Sequence, residues 1–375
     1  MLLVMPIEIR AAVDHLPPSR HRRRVAAVAT AVLAAFTLAP SGSSADAGQA
    51  DRTAWSSMAP AASLRAAPLG AARHLVLAGY ADTAQRVVNA AALGITGDVL
   101  VAPAPTSELG RALANAHMTV IDARLSLELF YWECHRTHSV APPPPEQANG
   151  YCATDVQPGA TTAGVLQAIG DVVREDAANE LVSGYWVLDD WPAWDAGSAA
   201  LLLQDVRAVI EEVTPGYPAI CGFGGEIRKA GETGGFRSGT AANYSNGGCS
   251  MIGLYNYALP ALKRSKGKAI DWAMTTLMGE ETSALAAQGW NESETPMLGI
   301  AQAWSGPYAR PHEYQQGLTK AQMLTQAQGF CSAGATSIGW YAWDDSGFSS
   351  QTRTPNNARA IRQGIAAAIS ACAAF

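Results

Sequence analysis

Gly184-Tyr185-Trp186-Val187-Leu188-Asp189-Asp190 runs apolar for five residues and stops on two carboxylates. The same form recurs at Pro218–Phe223 (PAICGF), Ser250–Tyr255 (SMIGLY), Pro296–Gln302 (PMLGIAQ) and Ser337–Asp345 (SIGWYAWDD). Strands covered on both faces read as continuous apolar runs, and in closed parallel barrels the polar residues gather at the strand C-termini. Upstream, His74–Ala78, Asp98–Ala102 and Met118–Asp122 supply three shorter runs, which makes eight strands. The expected fold is therefore α/β, a (β/α)8 (TIM) barrel in one domain.

The stretches between the runs support this. Thr83–Leu93 and Glu108–Ala116 carry apolar residues at helical spacing. A helix is expected over about 161–181. Gly197–Val213 places Leu201, Leu202, Val206, Val209 and Ile210 on one stripe. Thr319 and Gln322 form a capping box ahead of the helix to Phe330, and Asn357–Ser370 reads as the last helix. An open doubly wound sheet is the rival. It carries a G-x-G-x-x-G turn after its first strand, and Leu77–Asp82 (LAGYAD) does not match it. Leu125–Cys152, with the run Pro142–Pro145, reads as a long insertion after strand three.

Three segments are expected: 1–47 a signal peptide, 48–70 a linker or irregular lead-in, and 71–375 the barrel. Arg20 and Arg22–Arg24 precede the uncharged stretch Val25–Leu38, and Ala45-Asp46-Ala47 fits a small-x-small cleavage site. The apolar run is too short to span a bilayer as a helix. Secretion follows as an expectation, with no membrane partner after cleavage.

Removing residues 1–47 takes away five basic and three acidic side chains and leaves a net charge of about −8. Nucleic acid and anionic membrane call for a basic face, so both are disfavoured as partners. The cluster Lys263–Lys268 (KRSKGK) is isolated and reads as a solvated loop. The chain is expected to act as a monomer.

Six cysteines all follow residue 47, and an even number in an exported chain suggests disulfides. Pairing between neighbours is expected: Cys134–Cys152, Cys221–Cys249 and Cys331–Cys372. A plain buried thiol is the alternative for Cys221.

The strand ends supply the candidate chemistry. Successive strand residues face opposite ways, so only one of Asp189 and Asp190 faces the barrel mouth directly while the strand lasts. Trp186, Trp191 and Trp194 surround them, and partial desolvation raises a carboxyl toward the range of a general acid. Strand eight offers Asp344 and Asp345 beside Trp340 and Trp343, whose flat indoles suit the C–H faces of pyranose rings. Barrel packing is the alternative for Trp340. Tyr255 and Asn256 end strand six, Gln302 and Trp304 end strand seven, and Glu226 follows strand five as a further carboxylate. Tyr80 and Asp82 on strand one, and Asp122 and Arg124 on strand three, complete the ring. Glycoside hydrolysis needs two carboxyl groups, about 5 Å apart for retention or about 6.5–9.5 Å for inversion. Strands four and eight lie across the barrel, which favours the wider spacing.

This ordered set of strand ends resembles the (β/α)8 glycoside hydrolases, with an echo of the chitinase-type family. That family's fourth strand reads D-G-x-D-x-D-x-E before Tyr-Pro. Here Gly184 matches the Gly, Asp190 stands at the Glu position, and Trp191-Pro192 replaces Tyr-Pro. Tyr255-Asn256 matches a Tyr-Asp pair, and Trp340 or Trp343 takes the place of a floor Trp. The three Asp positions are Ser183, Trp186 and Leu188 in this chain. The resemblance implies a divergent glycosidase acting on a polysaccharide or glycoconjugate, with Asp190 or Asp189 as general acid and no cofactor. A non-catalytic carbohydrate-binding barrel is the alternative. A metal-dependent hydrolase built on Glu133, His135 and His138 ranks below both, and no metal site is assigned.

Overall fold

The computed structural model describes residues 74–137, 161–189, 200–224, 241, 243–257, 270, 273–306, 318–345 and 348–372. Eight parallel strands close into a barrel in sequence order, each paired with its neighbours and the eighth with the first. They are β1 Val76–Gly79, β2 Gly97–Leu100, β3 Thr119–Asp122, β4 Val182–Leu188, β5 Ala219–Gly224, β6 Met251–Asn256, β7 Met297–Gln302 and β8 Ser337–Tyr341. The helices are α1 Ala84–Ala91, α2 Glu108–Asn115, α3 Arg124–Thr137, α4 Thr162–Asp176, α5 Ala200–Val213, α6 Met278–Ala287, α7 Lys320–Ser332 and α8 Arg359–Cys372. A π-helical turn, Ala273–Leu277, leads into α6.

The helix starts follow from local chemistry. Thr83, Ser107, Thr161 and Thr319 each take an extended backbone and accept an N–H of the first turn, which satisfies a donor the helix itself leaves open. At Thr319 the capping box with Gln322 is complete. The sequence reading of Leu125–Cys152 as an excursion requires a correction: its first part is helix α3, to Thr137. Residues 138–160 lie outside the described residues, as do 1–73.

The barrel interior is built around one indole. Trp186 of β4 is buried, and glycines of β5 and β6 make the space for it. A Cβ at Gly222 would stand 2.8 Å from Trp186 Cζ2, and one at Gly253 would stand 2.7 Å from Cη2. Both approaches are closer than carbon atoms tolerate, so these two strands reach the ring only because they carry no side chain there. Leu77, Val99, Ile121 and Ile300 fill the rest of the axis. A cavity of about 30 Å³ remains among Leu77, Val99, Trp186, Tyr255, Ile300 and Tyr341. That is room for about two water molecules and not for a sugar ring.

Cys221 and Cys249 form a disulfide, Cα–Cα 5.9 Å, which ties β5 to the segment entering β6. This resolves the choice at Cys221 in favour of the bridge. Cys331 is also disulfide-bonded, while the side chains of Cys134, Cys152 and Cys372 lie outside the described residues. Replacing Cys221 and Cys249 together by Ala is expected to cost about 3–4 kcal/mol, from the chain entropy of a loop closed over a separation of 28 residues. Urea unfolding of the oxidised protein and of the double variant measures it.

One buried acid has no counterpart. Glu281 lies on the inner stripe of α6 with Met278 and Leu285, is 0% exposed, and neither carboxyl oxygen has a hydrogen-bond partner among the described residues. Burial, reinforced by the charge of Glu280, pushes it well above the usual carboxylate range. The folded chain therefore holds a proton that the unfolded chain releases above about pH 4, and Glu281 subtracts stability increasingly as pH rises from there. Glu281→Gln is expected to match the wild type near pH 4 and to exceed it by more than about 1 kcal/mol at pH 8. Denaturant midpoints collected across that range would show two curves that diverge upward in pH; parallel curves contradict the assignment.

Candidate active site

Asp189 is the first residue after β4. It is 5% exposed and accepts a 2.8 Å hydrogen bond from the Tyr255 hydroxyl. Tyr255, on β6, points inward: Gly222 opposite leaves space for its ring, and a Cβ there would lie 3.0 Å from Tyr255 Cε2. Four rings surround the mouth with it. Tyr255 meets Trp186 edge-on at 6.1 Å, Tyr257 at 5.8 Å and Tyr341 at 6.4 Å, centroid to centroid. Tyr257 stacks on Tyr341 at 5.8 Å, and Tyr80 meets Tyr341 edge-on at the same distance. Trp304 flanks Tyr257 at 6.3 Å and Phe348 flanks Trp304 at 5.6 Å.

The opposite wall mirrors the first. Tyr341 is the last residue of β8, and its hydroxyl donates to Asp345. Two tyrosines whose rings touch thus hold two carboxylates, one beyond β4 and one beyond β8. In a ring of eight strands those two are diametrically opposed.

Asp344 has a different place. Its carboxylate accepts Arg86 at 2.7 Å and the Asp345 N–H at 2.9 Å. Arg86 also pairs with Asp82, one helical turn away. Burial lowers the guanidinium of Arg86, and Asp82 and Asp344 outweigh it and raise it overall. Asp82, Arg86 and Asp344 form the clasp across the β1–β8 seam, and Asp344 in turn fixes the backbone that presents Asp345.

The remaining candidates divide by face. Tyr341 alternates with Trp340, so Tyr341 occupies the floor while Trp340, buried, shares the phase of Ala78 and Ala301. Asn256 is likewise out of phase with Tyr255, and its amide donates to Ala273 O at 2.8 Å, anchoring the π-helical turn. Gln302 is buried and donates to Trp304 O at 2.9 Å, while Gln326 of α7 brackets its backbone. Trp343 is buried and hydrogen-bonds through its backbone N–H to Gly79 O at 2.8 Å. Asp190, Trp191 and Glu226 lie outside the described residues.

Asp122 and Arg124 do not reach the mouth. Arg124 donates to Asp122 at 2.6 Å, to Glu175 at 3.0 Å and to Asp176, joining β3 and α3 to the end of α4. Burial, then the neighbouring Asp122, pushes Asp176 up to about 8. Asp98, buried and accepting the Ala81 N–H, is also raised well above the usual range by burial. Both are parts of the scaffold between strands and helices.

Sequence reasoning named Tyr80 at the end of strand one and passed over Tyr257 and Tyr341. The signal for Tyr341 was the alternation Gly339-Trp340-Tyr341, read once the glycines are recognised as inward positions. Tyr80 is marked differently: it holds a left-handed backbone, φ 62°, one residue beyond β1. That conformation is sparse for a side chain of this size and concentrates at functional sites. Among the described residues no group of three His, Cys, Asp or Glu is placed to hold a metal ion.

No protein-family model matches the sequence, and no curated protein matches it. Solved structures similar to it include an endo-1,4-beta-mannanase from Rhizomucor miehei, 12% identical, covering 80% of this chain and 95% of that one, TM-score 0.49. A beta-galactosidase from Marinomonas ef1 is 11% identical over 79% of this chain, TM-score 0.48, and a b-glucuronidase from Ruminococcus gnavus is 11% identical over 74%, TM-score 0.44. The chain spans 59% and 44% of the length of those two. The (β/α)8 barrel itself is given by the strand pairing of this chain.

Proposed function

We propose that this chain is an exported glycoside hydrolase that acts on a polysaccharide or glycoconjugate through carboxylate acid–base catalysis at the C-terminal face of its barrel. The observation that carries it is the pair of tyrosine-held carboxyl groups, Asp189 beyond β4 and Asp345 beyond β8, whose two tyrosine rings meet edge-on between opposite strands of the barrel. Flat rings at that floor suit the C–H faces of a pyranose, and the axial cavity beneath is too small for one, so the sugar rests on the tyrosines. The strand-four to strand-eight arrangement suits the wider spacing, and inversion is the proposed outcome. Asp190 and Glu226 remain candidates for a proton donor, and the chemistry invokes no cofactor. Export rests on the form of residues 1–47 and agrees with the Cys221–Cys249 bridge, since such bonds persist in oxidising compartments.

The test is to incubate the chain from about Gly48 with a panel of polysaccharides and aryl glycosides and to assay released reducing ends, with calorimetry on the same sugars. Cleavage of at least one class is expected. Binding without cleavage supports the non-catalytic carbohydrate-binding barrel instead, and neither binding nor cleavage overturns both readings.

A further inference from the structure

The geometry points to Tyr255 as a positioning residue that keeps Asp189 a carboxylate, so that Asp189 serves as the base of the reaction and a different acid protonates the leaving group. This deepens the hydrolase reading and rests on it for its chemistry.

A phenol has one proton to give. Tyr255 aims its proton at Asp189 Oδ1 over 2.8 Å, with both residues buried. A donor directed at a carboxyl group favours its charged form, and bonds to ionised oxygen are about twice as strong as neutral ones. The ring has little freedom to turn away. Trp186, Tyr257 and Tyr341 pack edge-on around it, and the backbone of Gly222 lies against its Cε2 side. The packing of the ring therefore holds the hydroxyl on Asp189. Burial alone pushes a carboxyl toward its protonated form; Tyr255 opposes that tendency at this one residue. Glu281, 0% exposed against 5% for Asp189 and with no donor among the described residues, shows the direction burial takes when nothing opposes it.

A carboxylate held this way accepts a proton. In the hydrolytic step the oxygen of a water molecule forms the bond to the anomeric carbon, and Asp189 takes the proton that water loses. The glycosidic C–O bond breaks, and its electron pair goes to the leaving oxygen. That oxygen takes its proton from a second carboxylic acid. Tyr255 touches Asp189, not the reacting atoms.

The experiment compares wild type, Tyr255→Phe and a protein with 3-fluorotyrosine in place of Tyr255. Carbon-13 NMR of carboxyl-labelled aspartate follows the titration of Asp189, its signal assigned by loss in Asp189→Asn. In Tyr255→Phe the Asp189 midpoint is expected to rise by about one to two pH units, and the acid limb of the pH–rate profile to rise with it. Fluorination strengthens the donor without changing the ring's shape, and is expected to lower the midpoint. A midpoint unmoved in both variants overturns the inference, even where activity on sugars is confirmed. A midpoint that moves as expected in a protein that cleaves no glycoside supports the hold of Tyr255 on Asp189 and sinks the hydrolase reading instead. An activity loss in Tyr255→Phe with no change in the acid limb assigns Tyr255 a packing role only.

Discussion

Asp189→Asn is expected to lower kcat on the best glycoside by about 10²–10⁴-fold, with KM changed far less. The substitution is nearly isosteric, and the amide oxygen still accepts the Tyr255 hydroxyl, so the aromatic floor keeps its shape. What disappears is the capacity to take a proton as the C–O bond forms. The effect is thus confined to the transition state, which is why it enters kcat and kcat/KM together. Asp345→Asn tests the opposite wall in the same assay. Asp344→Asn offers a contrast: it weakens the ion pair with Arg86 and loosens the backbone that carries Asp345, so its effect should be largest at low ionic strength and shrink as salt screens the wild-type pair. Full activity in Asp189→Asn would remove this residue from the chemistry and turn attention to Asp190 and Glu226.

Trp186→Ala is expected to cost about 3–5 kcal/mol in unfolding free energy and roughly 10 °C in Tm. The indole fills the centre of the barrel, and β5 and β6 offer no side chain at the two positions nearest to it, because Gly222 and Gly253 stand where such a group would start. Collapse of the site is therefore poor, and the cavity term remains nearly whole. Chemical denaturation of both proteins measures the difference. A cost below about 1 kcal/mol would mean that the strands relax inward, and that Trp186 is less central than its contacts show. A flattening of near-ultraviolet circular dichroism should accompany the loss, since Trp186 packs against Tyr255.

Much of the barrel was legible because parallel strands buried on both faces have to be apolar from end to end. The eight expected runs fall on the eight observed strands with their ends displaced by a few residues, as at His74–Ala78 against Val76–Gly79. Helix α3 escaped notice because Glu128, Glu133, His135 and Arg136 interrupt any stripe, and the Pro-rich run beyond it suggested a loop. The site was half legible. Asp189, Asp345 and Tyr255 could be picked out as residues at strand ends. Their partners depend on which face each residue takes, and that needs the register between strands. Trp340 looked like the floor because an indole is the more familiar sugar platform; alternation gives that place to Tyr341. Trp186 likewise looked like a binding residue, while the space made for it by glycines on two neighbouring strands is invisible until those strands are side by side.

The indole and the two glycines that receive it also shape which neighbouring sequences this barrel can reach. A methyl added at position 222 or 253 collides with a ring already in place, and a smaller residue at 186 leaves an opening that nothing fills. Each single step is uphill, so the three positions are coupled in their inheritance although they are scattered over three strands. A path out of this packing runs through paired changes, such as Trp186→Leu with Gly253→Ala, and the double variant should be more stable than the sum of its parts allows.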